Sequence, residues 1–382
     1  MDILLDCCAG LDVHKRTVVA CVRRLGPDHV STSLVRTFGT MTADLLGLAD
    51  WLAAQGVTHV AMESTGVYWK PVYHLLEGRF TLLLVNAHHI KHVPGRKTDV
   101  KDADWIAQLL QHGLLRASFV PPPPIRDLRD LTRQRTQLVR DRATVVNRVQ
   151  KVLEEANIKL SSVATDVLGK SGRDMIAALI AGTTDPVPLA DLARGSLRKK
   201  KPALRRALEG RVTDHHRFLL ATLMRQGEQL ESLIGSYDVR IDAQMAPYAE
   251  AAAQLRAIPG IGPRAAEVIV AEVGTDMTTF PTAGHLASWA GMCPGNDESA
   301  GKRRSGKTTK GSQWLRSTLV QAAWAAIRAK ETIFGVVYRR WSKRLGRKKA
   351  LIAVGHKLLT VIYLMLKKGT GYQEKWTPEM GT

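Results

Sequence analysis

The chain has 382 residues, with 55 Lys and Arg against 35 Asp and Glu and a formal charge of +20. That length exceeds one compact core, so two or three domains are expected, and the charge attracts phosphate polymers and sheds their counterions on contact. No apolar run reaches the roughly 18 residues needed to span a bilayer and MDILLDCCAG is no basic leader, so no membrane partner and a cytoplasmic, nucleoid-associated location are expected.

From Leu4 to Phe119 apolar runs alternate with amphipathic ones: LLDCCAGLDVH, TVVACVRR and SLVRTF as strands, a helix over 43–55, then HVAMEST, helix VYWKPVYHLLE, TLLLVNA and helix DVKDADWIAQLLQHG. Three strands followed by alternating strands and helices predict an α/β domain with a mixed sheet. Cys7, Cys8, Cys21 and Cys293 contain no CxxC pair and read as buried thiols, without metal or disulfide chemistry.

Within this region four acids stand out. Asp12 sits inside an apolar strand, GLDVHK, where a carboxylate is costly unless paired or bound to a cation. Glu63 ends the strand of HVAMEST, where groups converge above a sheet. Asp99 and Asp102 open the helix of RKTDVKDADW and share a face, with Asp104 turned away. Taken singly each acid has a structural reading, the helical pair as complements to the macrodipole; together they suit two divalent metals that activate a hydroxyl and stabilise a leaving 3′ oxygen. His14, on the face of Asp12, is read as structural or as a substrate contact. His88 and His92 have HxxxH spacing in a loop context that argues against metal binding.

Four prolines, Pro121–Pro124, predict a stiff extended linker and the first boundary. Beyond them Leu128, Leu131, Leu138, Val145, Val149 and Val152 follow heptad-like spacing, with Arg135 and Arg142 on the seam, and a second helix over about 213–251 is the expected antiparallel partner. The intervening SLRKKKPALRRALEG is either a solvated face or a phosphate contact. IPGIGPRAAE then reads as a helix-hairpin-helix in which Gly260 and Gly262 allow backbone amides to approach phosphate, or as an ordinary glycine-capped helix connection. Expected domains are 1–120, 121–250 and 251–382.

Between Lys302 and Lys349 fifteen Lys or Arg residues face one acid, Glu331, interleaved with Trp314, Trp324, Phe334, Tyr338 and Trp341. The aromatics read as core more than as stacking platforms, while the charge predicts nucleic-acid contacts from Lys302, Arg303, Arg304, Lys307 and Lys310. GKRRSGKT matches a phosphate-binding loop to the letter, yet lacks a buried strand running into it and is read as a basic loop. Ser299 and Ser305 are both candidate nucleophiles, flanked by small residues and cations.

The series GLDVHK, MESTGVYW, RKTDVKDAD, IPGIGPRAAE and SWAGMCPGNDESAGKRRSGKTTKGSQWLR, in this order, closely resembles the IS110-family transposases, among them the Piv-type DNA invertases, over nearly the whole chain. The resemblance implies an RNase H-like (RuvC-like) N-terminal domain with a DEDD tetrad, a helical coiled-coil section and a mostly α C-terminal domain with a nucleophilic serine. By motif the tetrad falls on Asp12, Glu63, Asp99 and Asp102, with Mg²⁺ or Mn²⁺, and the serine, which precedes a small-Gly-Lys run, on Ser299. It further implies strand exchange without ATP on donor and target double-stranded DNA, guidance by a noncoding bridge RNA, and a homo-oligomer of two or four chains. Two rival readings are a metal-dependent junction nuclease using the same acids with water, and a noncatalytic basic DNA- or RNA-binding protein.

Overall fold

The computed structural model describes residues 3–64, 66–86, 102–295, 297–299, 302–305 and 307–374, with 297–299 and 302–305 described by their backbone. It divides into two compact units, Met1–Val120 and Pro121–Thr382.

The first unit is a five-stranded mixed sheet. Strands β1 (Cys7–Val13), β2 (Thr17–Leu25) and β3 (Ser31–Gly39) form an antiparallel meander; after helix α1 (Thr42–Ala54), β4 (His59–Glu63) returns parallel to β1, and after α2 (Trp69–Leu76), β5 (Thr81–Val85) runs parallel to β4. The order across the sheet is β3-β2-β1-β4-β5, the mixed sheet expected. The period of two in β1 separates two faces. Ala9, Leu11 and Val13 join Val60, Met62 and the apolar sides of α1 and α2 in one core, whereas Cys8, with Ala61 and Val85, packs against Ile106, Leu109 and Leu110 of α3 (Asp102–Gln111) on the other. Burial pushes the Cys8 and Cys21 thiols up to about 12, in keeping with inert, buried cysteines.

The second unit opens with α4 (Pro123–Glu155). The prolines do not form the extended linker expected: Pro123 and Pro124 are the first helical residues, where a missing N–H costs nothing because it would have had no intrahelical acceptor. Helix α4 runs antiparallel to the later Asp214–Met245. Arg135 pairs with Asp238, and Arg142 with Glu231 at 2.6 Å, so the two cations on the apolar seam meet acids in the partner helix. Between the two long helices four short ones, α5 (Leu160–Val163), α6 (Lys170–Ile180), α7 (Pro186–Asp191) and α8 (Lys201–Ala207), enclose a core of Ile158, Leu160, Met175, Ile176, Leu189 and Leu204. Val149 and Val152 of α4 and Leu220 of α9 (Asp214–Met245) close that core from below. Of the basic segment, Leu204 and Ala207 point inward while Arg198, Lys199, Arg205 and Arg206 are exposed.

The chain ends in α10 (Ala249–Arg256), α11 (Pro263–Val273), α12 (Ala283–Trp289), a two-stranded β6–β7 hairpin (Asp297–Ser299 and Lys302–Ser305), α13 (Gln313–Ala326), α14 (Ile333–Leu345) and α15 (Arg347–Lys368). Contrary to the reading that nothing here is long and apolar enough to cross a bilayer, α15 meets that test, with mean hydropathy 1.6. Half of its most apolar stretch is buried within the unit, and its Tyr363 hydroxyl donates to the Phe280 carbonyl at 2.8 Å. Among the aromatics of this region Phe334 is buried, whereas Trp324 is exposed beneath the guanidinium of Arg328.

Candidate active site

Asp12 lies one residue from the end of β1, on the face that carries Cys8 and Gly10. Leu11 pairs with Met62 across the parallel β1–β4 ladder, and one step further along the same register Asp12 stands beside Glu63, both at carboxyl ends of adjacent strands. The third acid arrives with α3, whose first residue is Asp102. Helix and sheet approach unusually closely: a Cβ added at Gly10 would lie 2.3 Å from the Ala103 carbonyl oxygen and 2.4 Å from the Ala107 amide. Only glycine on the strand and alanine on the helix permit this contact. A clamp from the neighbouring strand sets the helix along its axis. Arg23 donates to Asp104 through Nε at 2.6 Å and Nη2 at 3.3 Å, and the Cys21 thiol donates to the same carboxylate at 3.3 Å.

The electrostatics record the convergence. Burial raises the Asp12 carboxyl above the usual carboxylate range; His14 pulls it back, and the negative charges of Asp102 and Glu63 push it further up. His14 Nε2 is 3.1 Å from Asp12 Oδ2, with the histidine largely exposed and the aspartate 24% exposed. Asp104 behaves in the opposite way: burial works to raise it, but hydrogen bonds from Arg23 and Cys21 hold it below the usual range. Asp99, His88 and His92 lie outside the described residues. Among the described residues no three His, Cys, Asp or Glu side chains stand at metal-binding distance of one another. Asp12, Glu63 and Asp102 are nonetheless hard oxygen donors whose accumulated negative charge suits a hard divalent cation.

In the second unit Ser299 closes β6 and pairs with Lys302 across the hairpin turn, while Ser305 pairs with Asp297 at its base, where the register slips by a bulge. Residues 302–305 are therefore a strand, and the next helix begins only at Gln313, so GKRRSGKT does not have the strand-loop-helix topology of a nucleotide-binding loop. The hairpin caps an arm whose stem is held by Gly295 N–H to Lys307 O at 2.8 Å and Thr309 N–H to Cys293 O at 3.2 Å. At its root Gly291, with φ +67°, abuts Gly311: a Cβ on Gly311 would lie 2.2 Å from the Gly291 nitrogen. The next residue, Ser312, caps α13 and donates to Glu272 at 2.8 Å. Glu272 is fully buried and receives two hydrogen bonds from Arg133 of α4, at 2.7 and 2.9 Å. Lys307 and Lys310 are exposed on the returning strand of the stem.

The α10–α11 connection differs from a simple phosphate clamp. Gly260, with φ +90°, faces inward, and a Cβ there would meet the Ala322 carbonyl of α13 at 2.3 Å; Gly262 opens α11 with nothing within 4 Å. Gly260 is thus required by helix packing whatever else its amide does. The reading from sequence missed Gly10, Gly291, Gly311 and Glu272. A small-residue signal, Gly10 facing Ala103 and Ala107 one helical turn apart, was present for the first.

Two family models match the chain: the IS110-type DEDD transposase model, described as Transposase, over residues 9–158, and Transposase IS116/IS110/IS902 family over residues 252–338. The chain belongs to the IS110 family of transposases. A probable family 20 transposase of Pseudomonas aeruginosa is 28% identical over 82% of this chain and 85% of its own length. The transposase for insertion sequence element IS1111A of Coxiella burnetii is 24% identical over 76% of this chain and 72% of its own. A pilin gene-inverting protein of Moraxella bovis is 28% identical over 32% of this chain and 39% of its own length. As an IS110-family member the chain is an enzyme that cuts and rejoins DNA. The first model covers the sheet, α3 and α4, and the second covers α11 to α13 with the β-hairpin arm; residues 159–251, with the four short helices and α9, fall between them.

Proposed function

We propose that this transposase joins DNA through a serine, with Asp12, Glu63, Asp99 and Asp102 as the acidic site of an RNase H-like first unit and Ser299 as the nucleophile. The observation that carries the reading is that Asp12 and Glu63 end two adjacent parallel strands with Asp102 opening the helix packed beside them, near enough that each of the other two raises the proton affinity of Asp12. When bound, Mg²⁺ or Mn²⁺ would be held by these carboxylates and would neutralise charge on the reacting phosphate. The Ser299 oxygen forms a new bond to phosphorus as the bond to the departing DNA oxygen breaks, the serine proton ending on that oxygen, so the phosphodiester energy is kept in a protein–DNA link and no ATP is needed. Ser299, which pairs with Lys302 at the end of β6, is favoured over Ser305 at the base of the hairpin by the small-Gly-Lys run that follows it.

Donor and target duplexes are the substrates in this reading, with a noncoding bridge RNA selecting them. The +20 charge supports polyanionic partners, and the exposed Lys307 and Lys310 flank the arm that Lys302, Arg303 and Arg304 continue. Joining two duplexes calls for more than one copy, as a dimer or tetramer, and exposed Val139, Leu233 and Val239 on the long helices support self-association. The test is a denaturing gel after incubation with the element's RNA, both DNAs and Mg²⁺. A covalent protein–DNA adduct is expected, lost in Ser299→Ala and in Asp102→Asn but kept in Ser305→Ala. Free cleaved ends without adduct, still produced by Ser299→Ala, would establish a water-using nuclease instead.

A further inference from the structure

A cavity of about 720 Å³ opens between α4, α9 and α13, with Gln134 and Gln137 on one wall, Tyr237, Arg240 and Gln244 on another, and the Trp314 ring on the third. Most of its polar groups are served by the protein, Gln137 donating to Asp141 at 2.9 Å and Arg133 to Glu272, but one is not. The Gln244 Oε1 atom is buried with no hydrogen-bond partner. The half-buried Tyr237 and the exposed Arg240 stand at the mouth of the cavity, within reach of water. A buried acceptor left unpaired is costly, and Gln244 Oε1, on the wall of this cavity, points to a ligand that completes it.

The lining describes that ligand. Trp314 supplies an aromatic wall whose ring carries the guanidinium of Arg140 at 4.8 Å, from a second cavity of about 380 Å³, and that of Arg133 at 6.0 Å, so a base would stack on the ring in place of the more distant Arg133. The cations of the larger cavity do not make it a phosphate sink: Arg133 is committed to Glu272, and Asp127 and Asp130 offset Arg240. Carboxamides offer donors and acceptors in the same plane, the pattern that reads the edge of a base. A planar, neutral group with mixed donors and acceptors, brought by a polyanion to a chain of charge +20, is a nucleobase. Bases in a duplex present no free face, so the occupant is unpaired: a loop, a bulge or an extruded nucleotide.

We propose that the cavity between α4, α9 and α13 receives one unpaired nucleobase of the bound nucleic acid, stacked on Trp314 and hydrogen-bonded at its edge by Gln244. Tyr237, Arg240 and Gln244 lie between the spans that the two family models match, whereas Gln134, Gln137 and Trp314 lie within them. The inference rests on the transposase reading only for the presence of nucleic acid and needs neither the serine nor the acidic site.

The experiment is equilibrium binding by fluorescence anisotropy with the full chain in EDTA, so that failure of the serine chemistry leaves the outcome untouched. Four probes are compared: an RNA hairpin and a DNA duplex, each fully paired or carrying a single-base bulge. The bulged form of one or both is expected to bind about 5- to 100-fold tighter, the range of one base stacked on an aromatic ring; the nucleic acid showing the preference identifies the source of the base. Trp314→Ala is expected to remove the preference. Gln244→Leu, a near-isosteric change that fills the site without an acceptor, is expected to reduce the ratio of bulged to paired affinities and change its dependence on base identity. Equal binding of bulged and paired probes, or a preference that survives Gln244→Leu and Trp314→Ala unchanged, overturns the proposal.

Discussion

Replacing Gly10 by alanine tests whether the close approach of α3 to β1 is what places Asp102 beside Asp12. The new methyl would stand 2.3 Å from the Ala103 carbonyl oxygen and 2.4 Å from the Ala107 nitrogen, both backbone atoms of a helix, so no side-chain rotation relieves the overlap. The helix must retreat by roughly 1 Å, at the cost of about 1–3 kcal/mol expected for overfilling a packed core. Asp102 precedes Ala103 and moves with it, and a misplacement of ~1 Å in a reacting constellation lowers rates by about 100-fold. Strand joining should therefore fall about 100-fold in protein that remains folded at the assay temperature, as read from a gel-based joining assay beside thermal unfolding followed by circular dichroism. Joining at the wild-type rate in a folded Gly10→Ala protein would show that the close approach does not position Asp102. So would activity that declines only in step with the unfolded fraction.

The acids of the first unit should separate by the direction of their shifts. Asp12 is held above the usual carboxylate range, so its ionisation opposes folding as pH rises through the unfolded value of about 4; Asp12→Asn should raise the thermal midpoint at pH 7, with no gain below pH 3, while abolishing strand joining. Asp104 is held below the range, so its contribution is complete above pH ~4 and is lost as pH falls through the lower folded value. Acid unfolding of Asp104→Asn should accordingly show a flatter stability profile between pH 4 and 2, and an unchanged profile would remove the clamp from the account. In the second unit Glu272→Ala strands Arg133 without its buried partner and should cost about 3–5 kcal/mol by denaturant unfolding; a loss below 1 kcal/mol would show that the Arg133–Glu272–Ser312 link is incidental.

The sheet is legible because its strands are short apolar runs bounded by polar or glycine-rich sequence. The shared corner of Asp12, Glu63 and Asp102 could be anticipated from acids placed at the ends of apolar runs. What could not be read is how tightly that corner is drawn together, since it depends on Gly10 meeting Ala103 and Ala107, about ninety residues away in the chain. Arg135 and Arg142 looked like faults in a heptad because their partners, Asp238 and Glu231, lie on a helix about a hundred residues distant. The prolines at 121–124 read as a linker because their composition is the same whether they precede a helix or begin one. The burial of Glu272 and the contact of Gly291 with Gly311 are tertiary facts without a local pattern.

Any bend at that last contact would act as a pivot for the arm. Ser299 is eight residues beyond Gly291, a reach of at most ~26 Å at about 3.3 Å per residue. Over that length a rotation of only ~5° at the pivot sweeps the far end through about 2 Å, twice the error that costs ~100-fold in rate. A lever of this kind magnifies every looseness at its fulcrum, so the aim of whatever stands at the tip is governed by two residues that have no side chains.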